Sequence, residues 1–241
     1  MTAESILNAM RAKAVSKAGG LPLREAGKPH SSTSESRREQ IVTAAVRLFS
    51  ERGYFQTTID EIAREAEVSK GLVYLYFKDK NDLLFFALRF VLELYETDIA
   101  SLTKKYEDPL ARLRMLLRTF CRLVNDHRQE FLLAYRSTKD LAREERALLK
   151  QQESRIWRVL RKCLEACIHK GLMKPVNIDI MVFQHLMFSH TWALKNWAFR
   201  DQYSFEEYLR DGEQILIDNF LTDYGREVSA TWSEEALIPA A

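Results

Sequence analysis

The sequence predicts an all-α protein, and three observations carry that reading. Only eight glycines and five prolines punctuate 241 residues. Apolar residues recur at helical spacing in one segment after another, and the alternating β-branched runs that strands need are missing. With 46% hydrophobic residues the chain can fill a packed core. Its length suits one large domain, or a small one joined to a mid-sized one.

Residues 1–36 mix Ser, Gly, Pro, Lys and Arg and end in S-S-T-S-E-S at 31–36, the composition of a flexible arm. Arg11, Lys13, Lys17, Arg24 and Lys28 also fit a basic extension reaching a nucleic-acid groove, although Glu4, Glu25 and Glu35 dilute the charge. From Arg37 to Arg52 the apolar positions Ile41, Ala45, Leu48 and Phe49 share one helix side, and Gly53 stops the helix. Thr58 followed by Glu61 is a capping box: the hydroxyl caps the helix while the carboxylate reaches back to the cap's own N–H. Ile59, Ile62, Ala63 and Ala66 then give a short helix one buried stripe. Ser69 caps a third helix through Phe77, with Val73 and Phe77 inward. Asp79 caps a fourth, beginning at Lys80.

Two short helices joined by a tight turn, the second opening with hydroxyl and lysine side chains, meet the requirements of a helix-turn-helix. An ordinary helical hairpin would show the same periodicity. The segment G-Y-F-Q-T-T-I-D-E-I-A-R-E-A-E-V-S-K-G-L-V-Y-L-Y-F-K-D-K-N-D-L-L, residues 53–84, resembles the N-terminal signature of the TetR/AcrR family. It matches at Tyr54, Thr58, Ile62, Ala63, Val68, Ser69, Gly71, Tyr74, Tyr76, Phe77, Lys80 and Leu83. It departs at Glu67, where the family usually has Gly, which puts strain in the turn.

That resemblance implies a dimeric DNA-binding transcription repressor, with phosphate contacts from Thr58, Tyr74 and Lys80 and a recognition helix from Ser69 to Tyr76, including Gly71, in the major groove. Hydroxyls and free N–H groups at helix starts suit phosphates but carry no sequence information. Base reading then falls to Ser69, Lys70, Leu72 and Leu75, lysine suiting guanine acceptors and leucine a thymine methyl. Leu72 and Leu75 read alternatively as core residues, although Val73 and Phe77 already occupy the inward face.

Helical stretches follow at 80–105, 109–124, 128–137, 140–170, 177–199 and 205–223, broken by Asp108-Pro109, Gly171 and Pro175. The charge-rich run 140–162 reads as a solvated face or as a cationic mouth for an anionic ligand. The 177–199 helix has two apolar stripes, one with Phe183, Met187, Leu194 and Trp197 and another with Met181, Phe188, Trp192 and Phe199, so two partners must cover it. Phe205, Gly212, Ile215 and Phe220 on the next helix complete a candidate dimer interface, Gly212 allowing close approach; burial in a monomer core is the alternative. Candidate ligand contacts are His127, Arg136, His185, His190 and Asn196 with the aromatics Phe188 and Trp192, the histidines reading also as hydrogen-bonded core groups.

The expected organisation is an arm over 1–36, a DNA-binding domain of three helices over 37–84, a helical ligand-binding and dimerisation domain over 85–224, and a tail over 225–241. The implied partners are an inverted-repeat double-stranded operator, a second copy of the chain, and a small, largely apolar effector. The layout resembles acyl-CoA-responsive fatty-acid-degradation repressors, and drug-sensing repressors have similarly apolar pockets, so both effector classes stay open. A constitutive DNA binder or a helical interaction module are the other readings.

Bulk properties exclude more than they select. Thirty-six basic against 34 acidic residues leave a formal charge of +2, so net charge does not argue for a polyanion partner. No Gly-rich phosphate loop, nucleophile elbow or metal triplet supports an enzyme, and no cofactor is expected. Cys121, Cys163 and Cys167 are too few for a disulfide framework and fit a reducing cytoplasm; Cys163 and Cys167 share a helix face but lack further metal ligands. Nothing approaches the ~20 apolar residues of a membrane span.

Overall fold

The computed structural model describes residues 32–232. Among them the regular elements are all helical, and Met173 and Leu221 make one isolated antiparallel bridge. The chain divides into two compact units, Met1–Ala87 and Leu88–Ala241, so the boundary falls at 87/88 rather than 84/85.

The first unit contains α1 (Ser32–Arg52), α2 (Ile59–Glu65), α3 (Lys70–Tyr76) and the start of α4 (Lys80–Lys105). α1 begins earlier than the expected residue 37. Glu35 in its first turn complements the positive end of the helix dipole, so the Ser-rich run read as arm serves as helix start. The basic residues of the expected arm lie outside the described residues. Ile41, Ala45, Leu48, Phe49, Ile62, Ala63, Val73, Phe77 and Leu83 form the core of this unit, which is the pattern their spacing required. Arg38 lies over the Phe86 ring at 4.1 Å.

The second unit continues α4 and adds α5 (Pro109–Asp126), α6 (Arg128–Ser137), α7 (Arg143–His169), α8 (Ile178–Leu194), α9 (Asn196–Phe199), α10 (Phe205–Leu216) and α11 (Asp223–Ala230). α5 starts where expected because Asp108 accepts from the N–H groups of Leu110 and Ala111 at 2.9 Å, with Pro109 in the first turn. α7 ends at Gly171, whose φ of 69° lies in the left-handed region that glycine enters without a Cβ penalty. Cys163 and Cys167 are buried, and burial pushes their thiols up to about 11 and about 12, so both stay protonated near neutral pH.

Three expected helices are corrected. The 140–170 stretch opens with a 3-10 turn, Thr138–Asp140, and α7 proper starts at Arg143. The 177–199 helix breaks at Lys195, after which Phe199 folds back onto Tyr208 at 5.3 Å. The 205–223 helix stops at Leu216; a 3-10 turn, Asp218–Phe220, follows, and Thr222 caps α11 through the N–H of Gly225.

α11 also corrects the expected tail from residue 225. A Cβ on Gly225 would lie 2.0 Å from the Leu172 carbonyl oxygen, so the helix is seated on the turn after α7. The N–H of Lys174 donates to Phe220 O at 2.8 Å, and Thr222 Oγ1 donates to Gly171 O at 2.6 Å. Beneath this turn Arg114 pairs with Glu213 and Asp218 and donates to Ser229 Oγ at 3.0 Å, while Arg118 donates to Glu213. Arg114 and Glu213 are buried, so the pairing offsets a desolvation penalty that either charge alone would leave uncompensated. The charge-rich face of α7 is solvated but knitted to its neighbours: Arg155 pairs with Glu96 and Arg161 with Asp179.

Candidate nucleic-acid interface and interior sites

Local chemistry fixes the geometry of α2 and α3. Thr58 takes the extended cap conformation, its Oγ1 accepts from the N–H of Glu61 at 3.2 Å, and the Thr58 N–H donates to Glu61 Oε2 at 2.8 Å. The Thr58 N–H, and the Thr58 hydroxyl donating to the same Oε2 at 2.8 Å, hold the Glu61 carboxyl below the usual carboxylate range. Ser69 caps α3 by accepting from the N–H of Leu72 at 3.2 Å. Between the helices the chain turns at Glu67, whose φ of 51° is the one positive value at a non-glycine among the described residues. The turn therefore keeps a left-handed geometry without glycine, at a cost of about 1–2 kcal/mol.

With Val73 and Phe77 each 1% exposed, α3 has one face in the core. Its other face carries Ser69, Lys70, Gly71, Tyr74 and Leu75, all exposed, with Leu72 and Tyr76 half-buried. Leu75 is 76% exposed, so the structure takes it out of the core and leaves Leu72 at the edge. Lys80 stands at the start of α4 with its ammonium 4.5 Å from the Tyr54 ring centroid and donating to Phe55 O at 3.4 Å; Tyr54 donates its hydroxyl hydrogen to Asn81. Partial burial lowers the Lys80 pKa.

Sequence reasoning missed two features here. Thr57 is fully buried, its hydroxyl near Gly53 O at 2.9 Å and Leu48 O at 3.2 Å, and so pins the turn between α1 and α2; its neighbour Thr58 drew attention because capping leaves a local pattern. Lys70 donates to Asp60 Oδ2 at 2.7 Å, which raises the lysine's pKa. A ten-residue spacing across a turn carries no periodic signal, so only the packed hairpin reveals that pair.

In the second unit the expected ligand contacts have different surroundings. Phe188 stacks on Tyr208 at 4.3 Å, and Trp192 lies 4.9 Å from Tyr208 and 5.4 Å from Phe205 while donating its indole N–H to Asn125 at 2.9 Å. These rings fill one another's space. His185 is buried, with Nδ1 2.9 Å from Met181 O, and burial pushes its pKa down to about 4. Its Nε2 is buried without a partner, so the neutral ring presents a bare acceptor inside the unit. His190 sits with Nδ1 2.8 Å from the Tyr135 hydroxyl, and burial lowers it too, to about 4. His127 ends α5, its ring 6.4 Å from Tyr95, and Asn196 begins α9; both are half-buried. Arg136, the remaining candidate, stands exposed on α6.

The candidate dimer residues also separate. Gly212 is buried, and a Cβ there would lie 2.2 Å from Phe188 Cε1, so the close approach it permits is to the chain's own α8. That corrects its assignment to an interface between copies. Phe205 and Phe220 are half-buried, while Ile215 is 54% exposed. On α8 one expected stripe buries Met181 and Trp192 and half-buries Phe188, while the other leaves Phe183 and Met187 exposed, with Ile180 exposed beside them.

Known proteins share this arrangement. Residues 41–86 match the pattern described as "Bacterial regulatory proteins, tetR family", and residues 106–197 match "Tetracyclin repressor-like, C-terminal domain". The HTH-type transcriptional regulator HbdR of Aromatoleum sp. (strain CIB) is 45% identical over 206 residues, spanning 85% of this chain and 90% of that protein. Among solved structures, AibR in complex with isovaleryl coenzyme A and operator DNA aligns with a TM-score of 0.65 at 24% identity, over 75% of this chain and 97% of that one. A regulator from Saccharomonospora viridis in complex with choline aligns with a TM-score of 0.70 at 19% identity, over 78% and 99%.

Proposed function

The chain belongs to the TetR family of bacterial regulatory proteins and is a DNA-binding transcription regulator rather than an enzyme, and from that premise we propose that it is a ligand-responsive repressor acting as a homodimer on an inverted-repeat operator. The carrying observation is the two-faced α3, core-bound through Val73 and Phe77 and open through Ser69, Lys70, Tyr74 and Leu75. In this reading Thr58, Tyr74 and Lys80 hold phosphates, which fix register without reading sequence, and the first residues of α3 meet base edges.

Dimerisation rests on Ile215 of α10 with Ile180, Phe183 and Met187 of α8, large apolar groups left exposed in the single chain. It sets the spacing of the two readers, which must span about one helical turn of DNA, ~34–36 Å. The effector is a largely apolar molecule, with an acyl-CoA the leading class; the isovaleryl coenzyme A held by AibR, which shares the fold, supports it. It enters the second unit, and α4, which belongs to both units, passes the change to the reader. Ligand and operator then weaken each other by the same factor, because coupling between equilibrium sites is reciprocal.

The test is a fluorescence-anisotropy titration of the DNA upstream of its own gene, with and without isovaleryl coenzyme A, longer acyl-CoAs and choline. A loss of operator affinity of about 5- to 150-fold at saturating acyl-CoA is expected. A response to choline alone replaces the effector class, and no response to any compound, including what co-purifies from the host, leaves a constitutive DNA binder.

A further inference from the structure

Lys70 opens the recognition helix, yet its ammonium is already occupied. It donates to Asp60, in the first turn of α2, at 2.7 Å. The two side chains are 51% and 57% exposed, so water screens the pair and it adds little to stability. An acidic group on this surface also repels DNA phosphates. A pair that contributes little to the fold and costs affinity for DNA calls for another account.

We propose that Asp60 is a specificity-determining residue that holds Lys70 back from the phosphate backbone while letting it share its donors with a pair of base-edge acceptors; this rests on the DNA-binding role given above. On an arbitrary sequence the acceptors are phosphate oxygens and isolated base-edge atoms such as adenine N7 or thymine O4, never a pair on one base. Leaving Asp60 for a phosphate exchanges an anion for an anion and bares a carboxylate among phosphates. On the right sequence a guanine offers O6 and N7 together. An ammonium has three N–H donors, so Lys70 can serve those acceptors while one donor stays on Asp60. The carboxylate thus subtracts affinity from every sequence, and most from those in which Lys70 gains phosphate alone.

The experiment compares a duplex selected by the unaltered protein from a randomised pool with a shuffled duplex of the same length and composition. Asp60→Asn keeps the side chain's shape and removes its charge. Affinity for the shuffled duplex should rise about 5- to 10-fold and its log-affinity against log-salt slope should steepen by about one. Affinity for the selected duplex should change by less than about two-fold, so discrimination falls. In a Lys70→Met background, Asp60→Asn should move both duplexes by the same factor, because only the long-range repulsion is left. Unchanged discrimination, or an equal loss of it in the Lys70→Met background, overturns the proposal. A parent protein that binds both duplexes alike overturns the DNA-reading function itself, an outcome visible before any variant is made.

Discussion

At the residue scale, the most informative position is Glu67. Its φ of 51° places an L-residue where glycine sits without penalty, and the exposed side chain contributes no burial in return. Glu67→Gly should therefore stabilise the protein by about 0.5–1 kcal/mol, less than the full left-handed penalty because glycine also loosens the unfolded chain. Thermal unfolding would show a rise of roughly 2–4 °C per kcal/mol for a chain of this size. A lower midpoint would mean that the Glu67 side chain holds the turn in a way its exposure does not suggest. The same scale explains His185: with Nδ1 engaged by Met181 O, its Nε2 is a bare acceptor, and a buried acceptor left without a donor is costly.

At the element scale, α11 shows how a segment with tail-like composition becomes structural. Eight residues are too few for an isolated helix to persist in water, so docking must hold α11. That docking depends on Gly225, where even a methyl group would collide with the Leu172 backbone, and backbone cannot rotate away as a side chain can. Gly225→Ala should cost about 1–3 kcal/mol, as overpacking in a tight contact does, and should raise hydrogen exchange at the amides of Lys174 and Thr222 that bond across the turn. An unchanged midpoint with unchanged exchange would refute the docking.

For the whole molecule, the exposed apolar groups decide the expected assembly. Ile180, Phe183 and Met187 on α8 and Ile215 on α10 remain uncovered in the single chain, whereas Gly212 is already filled from within by Phe188. If the chain pairs as proposed, Ile215→Glu should accordingly yield monomers at low micromolar concentration while preserving helicity, because an unpaired charge in an apolar interface is expensive. Operator affinity should fall with it, since one reader engages only a half-site. Light scattering with circular dichroism makes the check: a folded, still dimeric Ile215→Glu protein would place the interface elsewhere.

The sequence by itself determined the all-helical class, the caps of the short helices and the helix-turn-helix, but not where the later helices break. Thr58, Ser69 and Asp79 were legible because a cap acts over two or three residues, and Val73 and Phe77 because helical periodicity is local. The family was legible for the same reason, since its motif is one continuous segment. Only the tertiary structure decided what those helices do to one another. It put Gly212 against Phe188, Arg118 against Glu213 and Asp60 against Lys70, partners separated by turns or whole helices, and it brought α11 into the fold. Periodicity names the face a residue occupies, but the choice between core, interface and ligand depends on what packs opposite, and that is fixed by packing between elements distant in the chain.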